Sequence, residues 1–227
     1  FFLGATPFDT PAVYTILSYT EMVHDGYHNV EGGMYRIIEG MLREAEKAGI
    51  RINYNVKING FDGSGKRNRA FIDTDGRHWE GDIFVVNADA AMFRGKVFRR
   101  PAFSDAKLDS MQWTLAPLTM YLGVRGKMEN IHHHNYFLGN RDYEPYSKGI
   151  FRNKVSLEKP YYYVNANAIF NPQSAPEGCE NLFILVPVPD LRFKKDWSDK
   201  ESITDSIIAD FSERIKKDIK PSIVTKT

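Results

Sequence analysis

Apolar residues between Met34 and Ala45 recur every three or four positions, and charged residues occupy many of the positions between them. This spacing is that of an amphipathic helix, which buries one stripe of side chains and exposes the other. The pattern therefore predicts a helix over residues 33–48, with Gly49 placed where helices commonly end. An apolar run over residues 11–24 predicts an earlier helix.

The pattern then changes to that of β-strands. Apolar residues alternate with polar ones over residues 50–56, as in a half-buried strand. A glycine-rich turn at residues 60–65 leads to a second strand at 69–75, and Asp75-Gly76 predicts the next hairpin. Residues 83–86 are continuously apolar, which favours a strand buried on both faces of a parallel sheet.

The second half of the chain predicts an antiparallel sheet. Segments rich in aromatic and branched residues, typical of strands, are separated by long polar loops. Together with the helix and strands of the first half, this sheet predicts the α+β class, with an α/β part followed by an antiparallel sheet and covering helices. The predicted strands of the second half are residues 118–124, 135–138, 161–170 and 182–188.

The last predicted helix has clear signals at both ends. Ser198 followed by Glu201 matches a capping box at its start. Lys216 and Lys217 fall in its last turn, where the helix dipole favours cations. The apolar stripe of this helix consists of Ile203, Ile207, Ile208, Phe211 and Ile215.

Composition narrows the class of protein without identifying it. Apolar residues make up 42% and charged residues 26% of the 227 residues, which is ordinary for a globular protein. The net charge of +1 favours neither nucleic acid nor a strongly acidic partner. No apolar run is long enough to predict a membrane-spanning helix. The single cysteine, Cys179, allows no internal disulfide and fits a reducing compartment such as the cytoplasm.

Two features that suggest chemistry have simpler explanations. Consecutive residues of a strand point to opposite faces, so the three histidines His132, His133 and His134 are poorly placed to bind one metal ion. We therefore predict no metal site and interpret them as a solvated loop that enters a strand. Cys179 lies in a turn without a neighbouring base, so we do not predict a thiol nucleophile. No side chain stands out as a catalytic acid or base.

Residues 30–89 resemble half of a nucleotide-binding unit. Gly32 and Gly33 precede the predicted helix, where glycines permit close approach and free N–H groups attract anions. Asn87-Ala88-Asp89 follows the predicted buried strand, at the edge where α/β sheets bind ligands. Asn87 or Asp89 is also suited to cap a helix, and the two roles are compatible. No G-x-G-x-x-G phosphate loop occurs, and the glycines at 60–65 have the wrong order for one.

Four stretches of the chain stand in an order that suggests a family. They are residues 4–14 (GATPFDTPAVY), 31–35 (EGGMY), 86–89 (VNAD) and 174–189 (SAPEGCENLFILVPVP). In this order they resemble the bacterial-type phytoene desaturases, which are FAD-dependent carotenoid desaturases within the amine-oxidase-like flavoprotein superfamily. The resemblance extends over nearly the whole chain, and the last stretch is its most specific part.

The resemblance implies a cofactor and its contacts. Family members bind FAD in a domain that is assembled from distant parts of the chain. By position, the backbone of Val56 is expected near the adenine, and Asn87 and Ala88 are expected close to the cofactor. Gly32 and Gly33 are expected on the cofactor side.

The resemblance also implies three domain segments. Residues 1–28 are expected to belong to a substrate-binding domain, residues 29–95 to the FAD-binding domain and residues 96–227 to the substrate-binding domain. The family's phosphate loop and its C-terminal glycine-rich segment have no counterpart here. Both ends of the chain resemble cut points, so we expect an internal piece of a larger enzyme that does not itself hold FAD or turn over.

The activity implied is desaturation of a hydrophobic carotenoid by hydride transfer to flavin. Such an enzyme is expected to be cytoplasmic and peripheral to a membrane, with residues 7–17 as one candidate contact. Two alternatives stay open within the superfamily, namely a hydroxycarotenoid 3,4-desaturase and another FAD-dependent oxidoreductase of isoprenoids or amines. A third alternative is that the isolated chain is a non-catalytic domain that binds an apolar ligand.

Overall fold

A computed structural model describes residues 6–26, 28–64, 67–139 and 142–227 of the chain. It contains helices together with two antiparallel sheets, which confirms the predicted α+β class. The chain divides into a larger unit, Phe1–Leu42 with Trp113–Thr227, and a smaller unit, Arg43–Gln112. The domain boundaries drawn from the sequence at residues 28 and 95 stay a prediction.

The regular elements are as follows in chain order. The α-helices are α1 (Tyr14–Tyr19), α2 (Tyr35–Lys47), α3 (Ala90–Met92), α4 (Asp105–Asp109), α5 (Tyr143–Ile150) and α6 (Lys200–Ile215). The strands are β1 (Ile58–Ser64), β2 (Arg67–Asp73), β3 (His78–Glu80), β4 (Ala116–Arg125), β5 (His134–Phe137), β6 (Tyr162–Ala166), β7 (Cys179–Val188) and β8 (Ile223–Lys226). Single π-helical turns at Thr20–Asp25 and Phe93–Val97 extend α1 and α3.

The larger unit is built on a five-stranded antiparallel sheet in the order β5-β6-β7-β4-β8. Its central pair, β4 and β7, matches residue for residue from Ala116 opposite Val188 to Arg125 opposite Cys179. Every second side chain of β7 is buried, which is the alternation of a sheet with one covered face. The four predicted strands are confirmed, but the third ends at Ala166 and β8 was not predicted.

Helix α6 covers the inner face of this sheet. All five residues of its predicted apolar stripe are buried in one core with the inward side chains of β4, β6 and β7. The predicted capping box is wrong, because Asp199 occupies the N-cap and the Ser198 hydroxyl donates to Asp196 instead. The helix ends at Ile215, and Lys216 is its C-cap with a left-handed φ of 56°, so the prediction that Lys216 and Lys217 lie in the last turn is wrong.

The helices predicted in the first part of the chain are confirmed with shifted ends. Helix α1 begins at Tyr14, and the π-helical turn that follows it ends at Gly26, which has a φ of 74°. Helix α2 ends before Gly49, whose φ of 71° lies in the left-handed region that favours glycine. The apolar side chains of α2, including Met34 and Met41, are exposed in this chain.

The smaller unit contains a three-stranded antiparallel sheet in the order β1-β2-β3. Phe71 of β2 lies at the centre of a cluster of rings, with centroid distances of 4.9 Å to Phe84 and 5.4 Å to Phe93. Asp73 ends β2 and accepts a 2.9 Å hydrogen bond from Trp79 Nε1. This hydrogen bond, followed by those from nearby backbone N–H groups, holds the pKa of Asp73 below its usual value.

Three strand and turn predictions in the smaller unit are wrong. Residues 50–56 and 83–86 form no strand, and within the second segment Ile83 and Val85 are 84% and 88% exposed. A strand buried on both faces needs a neighbour on each side and a layer above and below. Among the described residues, Phe84 packs against Phe71, but no strand pairs with residues 83–86. Most of the predicted turn at 60–65 belongs to β1, and residues 65 and 66 lie outside the described residues.

Among the described residues, no helix combines the length and the apolar character that crossing a bilayer requires.

Candidate functional site

Gly32 and Gly33 form the turn before α2, in the larger unit. Their φ angles are 78° and 94°, in the left-handed region that favours glycine, and Gly33 N donates to the carbonyl of Val30 at 2.9 Å. A Cβ on Gly32 would approach Arg36 Nε to 2.9 Å. No atom lies within 4 Å of a Cβ built on Gly33, so the first turn of α2 is accessible there.

Val56, Asn87 and Ala88 lie in the smaller unit on segments without regular structure. Val56 is exposed and follows Asn55, which has a left-handed φ of 58°. Asn87 and Ala88 are exposed and lead into α3. Asp89 Oδ1 accepts a 2.7 Å hydrogen bond from Met92 N, which confirms Asp89 as the helix cap.

A dinucleotide cofactor needs accessible backbone at the residues that contact it. The backbone at Val56 and at Asn87-Ala88 is accessible, and the glycine turn before α2 leaves room at a helix N-terminus, which favours anions. The turn that normally binds a pyrophosphate, G-x-G-x-x-G, does not occur in the 227 residues. The five predicted residues are divided between the two units.

The sequence analysis missed a row of aromatic rings on the outer face of the five-stranded sheet. We define this aromatic row as Tyr136 (β5), Tyr163 (β6), Phe183 (β7) and Tyr121 (β4). The ring centroids follow one another at 5.2, 6.3 and 5.2 Å. The alternation in each strand places these residues opposite the buried face. Only the register between strands shows that they are neighbours.

A polar pair lies beside the aromatic row. His134 Nδ1 lies 2.6 Å from the hydroxyl of Tyr163, and the two rings stack at 6.0 Å. Burial, and then the charge of the adjacent His133, lower the pKa of His134. Burial raises the pKa of the Tyr163 phenol, so both groups are neutral near pH 7.

The rings of His133 and His134 contact each other at a centroid distance of 4.3 Å, so the expectation that consecutive histidines point to opposite faces is wrong for this pair. His133 Nδ1 lies 3.0 Å from the carbonyl oxygen of Ala166, whereas His134 contacts Tyr163. No group of three or more His, Cys, Asp or Glu side chains in the described part of the chain is arranged to bind a metal ion. Cys179 begins β7 and is partly buried.

We compared the chain with protein-family models and with solved structures. No protein-family model matches the chain. Among solved structures, an oxidoreductase from Methanosarcina mazei superposes with a TM-score of 0.58 over 87% of this chain and 42% of its own, at 16% identity. At that identity the match concerns the fold alone, and the fold is therefore one found in an oxidoreductase.

Comparison with curated protein sequences finds similarity to carotenoid desaturases. The chain is 32% identical to a zeta-carotene-forming phytoene desaturase of Myxococcus xanthus, over 86% of this chain and 37% of the relative. It is 25% identical to a phytoene desaturase of Fusarium fujikuroi, over 98% of this chain and 42% of the relative. A 1-hydroxycarotenoid 3,4-desaturase of Flavobacterium is 26% identical over 82% of this chain and 37% of the relative.

The predicted resemblance to the phytoene and carotenoid desaturases is thereby confirmed across most of the chain. The chain spans less than half the length of these curated relatives.

Proposed function

We propose that this chain is part of an FAD-dependent carotenoid desaturase, which introduces carbon–carbon double bonds into a polyene. The observation that carries the proposal is the similarity to several carotenoid desaturases over 82–98% of this chain. Phytoene is the favoured substrate, because phytoene desaturases include the relative with the highest identity quoted above. The similarity to a 1-hydroxycarotenoid 3,4-desaturase keeps a hydroxylated carotenoid as the second candidate.

FAD is the proposed cofactor of the whole protein, and when bound it supplies a hydride acceptor. Val56, Asn87 and Ala88 are proposed to contact it through accessible backbone. Gly32 and Gly33 are proposed to face the cofactor, since their turn leaves the N-terminus of α2 open. The pyrophosphate site is proposed to come from residues other than these 227. The domain segments 1–28, 29–95 and 96–227 are retained as part of this proposal.

The exposed apolar segments of this chain support an FAD-binding domain that is completed elsewhere. Ile83 and Val85 are among the most exposed large apolar residues, and Met34 and Met41 of α2 are also uncovered. Patches of this kind normally mark surfaces that another element covers. We propose that in a protein of the relatives' length the segment 83–86 pairs with further strands, as its apolar composition predicts.

The substrate imposes its own requirements. A hydrocarbon has no group for a hydrogen bond, so a protein binds and orients it through an apolar, aromatic surface. The same surface must also exclude water from the bound substrate. No residue of this chain is proposed as a catalytic acid or base.

Peripheral contact with a membrane is proposed because a carotenoid is dissolved in lipid. Phe8, Val13, Ile16 and Leu17 are exposed in and beside α1. Exposed apolar and aromatic residues of this kind can enter the headgroup region of a bilayer. The segment 7–17 is therefore the proposed contact.

The proposed function is tested with the full-length protein that contains this chain. It is expressed in bacteria that accumulate phytoene, and the extracted pigments are separated and identified by their absorption spectra. We expect products with longer conjugated systems than phytoene. Parallel cultures that supply a 1-hydroxycarotenoid distinguish the second candidate. Unchanged pigments in both cultures, with folded flavin-containing protein present, contradict the proposal.

A further inference from the structure

A stretch of the smaller unit, residues 90–104, contains four basic residues and no acidic one. The basic residues, all of them exposed, are Arg94, Lys96, Arg99 and Arg100. The aromatic residues between them pack inward instead. Phe93 and Phe98 lie 5.2 Å apart and contact the ring of Phe71 on β2 at 5.4 and 5.9 Å. The stretch therefore has an aromatic side within the unit and a basic side towards solvent.

We propose that residues 92–100, which we call the basic segment, bind the anionic phospholipid headgroups of a membrane. The inference rests on the proposed function for the choice of a membrane, because a substrate dissolved in lipid has to be taken from one. It goes beyond the apolar contact proposed for residues 7–17, since it assigns a second surface, in the other unit, and a class of lipid.

Three of the four basic residues keep their charge available for a partner. Lys96 Nζ pairs with both carboxylate oxygens of Asp105, at 2.8 and 3.0 Å. Within the described ranges, no carboxylate forms an ion pair with Arg94, Arg99 or Arg100. A guanidinium matches the oxygens of a phosphate group, which it can bind through two parallel hydrogen bonds. The lipid phosphate is therefore the group that these arginines fit.

Two of the arginines are held in position by aromatic rings. The guanidinium of Arg94 lies 5.2 Å from the centre of the Phe103 ring, and that of Arg100 lies 5.2 Å from the centre of the Phe98 ring. The backbone N–H of Arg100 donates to the carbonyl of Arg94 at 2.9 Å, so the two residues are neighbours. Side chains that are already ordered lose less conformational freedom when they bind.

The basic segment also presents apolar surface beside its charges. Met92, at its start, is 57% exposed. Apolar side chains beside basic ones can enter the headgroup region while the charges meet the lipid phosphates. Each basic residue near an anionic leaflet strengthens binding by about fivefold, so three should contribute about a hundredfold together. An effect of this size suits reversible, peripheral attachment.

Nucleic acid is the competing anionic partner, and the charge of the chain disfavours it. The net charge of the 227 residues is only +1, which is not that of a protein with a wide positive surface. Proteins that bind duplex DNA through its backbone make about six to ten phosphate contacts. Three available arginines in one short segment fit the mobile headgroups of a lipid bilayer better.

The proposal is tested on the full-length protein that contains this chain, by sedimentation with lipid vesicles. One set of vesicles consists of phosphatidylcholine alone, and the other of phosphatidylcholine and phosphatidylglycerol in a ratio of three to one. The apolar contact at residues 7–17 contributes equally to both sets, so the ratio of the two affinities reports the charges. The test variant combines Arg94→Gln, Arg99→Gln and Arg100→Gln.

A matched control removes the same charge at three other exposed positions of the same unit. It combines Arg43→Gln, Arg67→Gln and Arg69→Gln. We expect the test variant to bind the anionic vesicles at least twentyfold more weakly than the wild type, and the control to bind them within a factor of two. Salt raised from about 0.1 M to about 1 M should also abolish the preference of the wild type, because the screening length falls from about 10 Å to about 3 Å.

Far-ultraviolet circular dichroism establishes that each variant is folded. If the triple test variant unfolds, Arg99→Gln alone replaces it, because the ring contacts given above involve the other two arginines. The expected loss is then about fivefold. Equal binding of anionic vesicles by the wild type and the test variant overturns the proposal, as does equal binding of neutral and anionic vesicles by the wild type. Duplex DNA that displaces the vesicles, and that the test variant no longer binds, also overturns it, because nucleic acid is then the partner.

Failure of this inference is distinguishable from failure of the proposed function. Binding of anionic vesicles through the three arginines, in a full-length protein that desaturates no carotenoid, refutes the proposed function and leaves the membrane surface. Desaturation by a full-length protein whose test variant binds anionic vesicles as tightly as the wild type refutes the membrane surface alone.

Discussion

Tyr162 on β6 donates a 2.8 Å hydrogen bond through its hydroxyl to Asp210 Oδ2 on α6, and both side chains are buried. Arg214 Nε donates to the same oxygen at 2.7 Å. The carboxylate therefore joins the sheet to its covering helix inside the core of the larger unit. A buried carboxylate is tolerated in such a place only when its oxygens are paired.

Removal of the Tyr162 hydroxyl should weaken this connection. We expect Tyr162→Phe to lower the free energy of unfolding by about 1.5–3 kcal/mol, the range for hydrogen bonds to charged groups. Urea unfolding followed by circular dichroism measures the change. The matched control is Tyr121→Phe at an exposed position, for which we expect a change within about 0.5 kcal/mol. Equal losses in the two variants would show that the hydrogen bond contributes nothing specific.

The same pair predicts how stability responds to alkaline pH. Burial, then the hydrogen bond to Asp210 and the charge of that carboxylate, raise the pKa of Tyr162 above its ordinary value. The folded state thus favours the protonated phenol, so its contribution is complete below the unfolded pKa of about 10 and is lost as the pH rises above it. We expect the unfolding free energy to fall more steeply between pH 9 and pH 11 (a range set around that pKa of about 10) in the wild type than in Tyr162→Phe. Parallel slopes would contradict the assignment.

His134 should titrate below the value of a free histidine. Burial and then the neighbouring His133 lower its pKa, so the folded state favours the neutral imidazole. Its contribution to stability is complete above the unfolded pKa of about 6.5 and is lost as the pH falls below it. A nuclear magnetic resonance titration of the His134 ring should give a midpoint below 6.5, and His133→Gln should raise that midpoint. A midpoint that His133→Gln leaves unchanged would exclude the charge of His133 as a cause.

The side chain of Asp89 should stabilise the first turn of α3, because it accepts a hydrogen bond there. We expect Asp89→Ala to weaken this helix start by about 0.5–2 kcal/mol, because Met92 N loses its partner. Hydrogen exchange at the Met92 amide reports the loss directly. Asp89→Asn retains an acceptor oxygen and serves as the control, so it should preserve most of the protection. Faster exchange in both variants would point to a role for the charge instead of the cap.

The isolated chain should not retain FAD. Its sequence lacks the loop and helix terminus that normally bind the pyrophosphate. After mixing with FAD and gel filtration, we expect the 227-residue chain to elute without stoichiometric flavin. The full-length protein under the same conditions is the comparison and should elute with flavin bound. A stoichiometric complex of the isolated chain would show that these residues suffice.

Local sequence patterns were reliable where the chain contains its own packing partners. The stripe of α6 from Ile203 to Ile215 is buried as predicted, and the strand predicted at 182–188 lies within β7, because helix and sheet cover each other within the larger unit. The same reasoning failed for residues 50–56 and 83–86. Their apolar side chains fit strands, but a strand also needs a neighbour for its backbone hydrogen bonds, and the described chain provides none.

Sequence alone determined the α+β class, the helices α2 and α6, the four main strands of the second half and the resemblance to carotenoid desaturases. These features depend on the order of the residues and on the spacing of the apolar residues, and both can be read from the sequence. The tertiary structure decided the bond between Tyr162 and Asp210 and the aromatic row from Tyr136 to Tyr121. Both join residues far apart in the chain, and strand order and register, which set such contacts, are properties of the folded sheet.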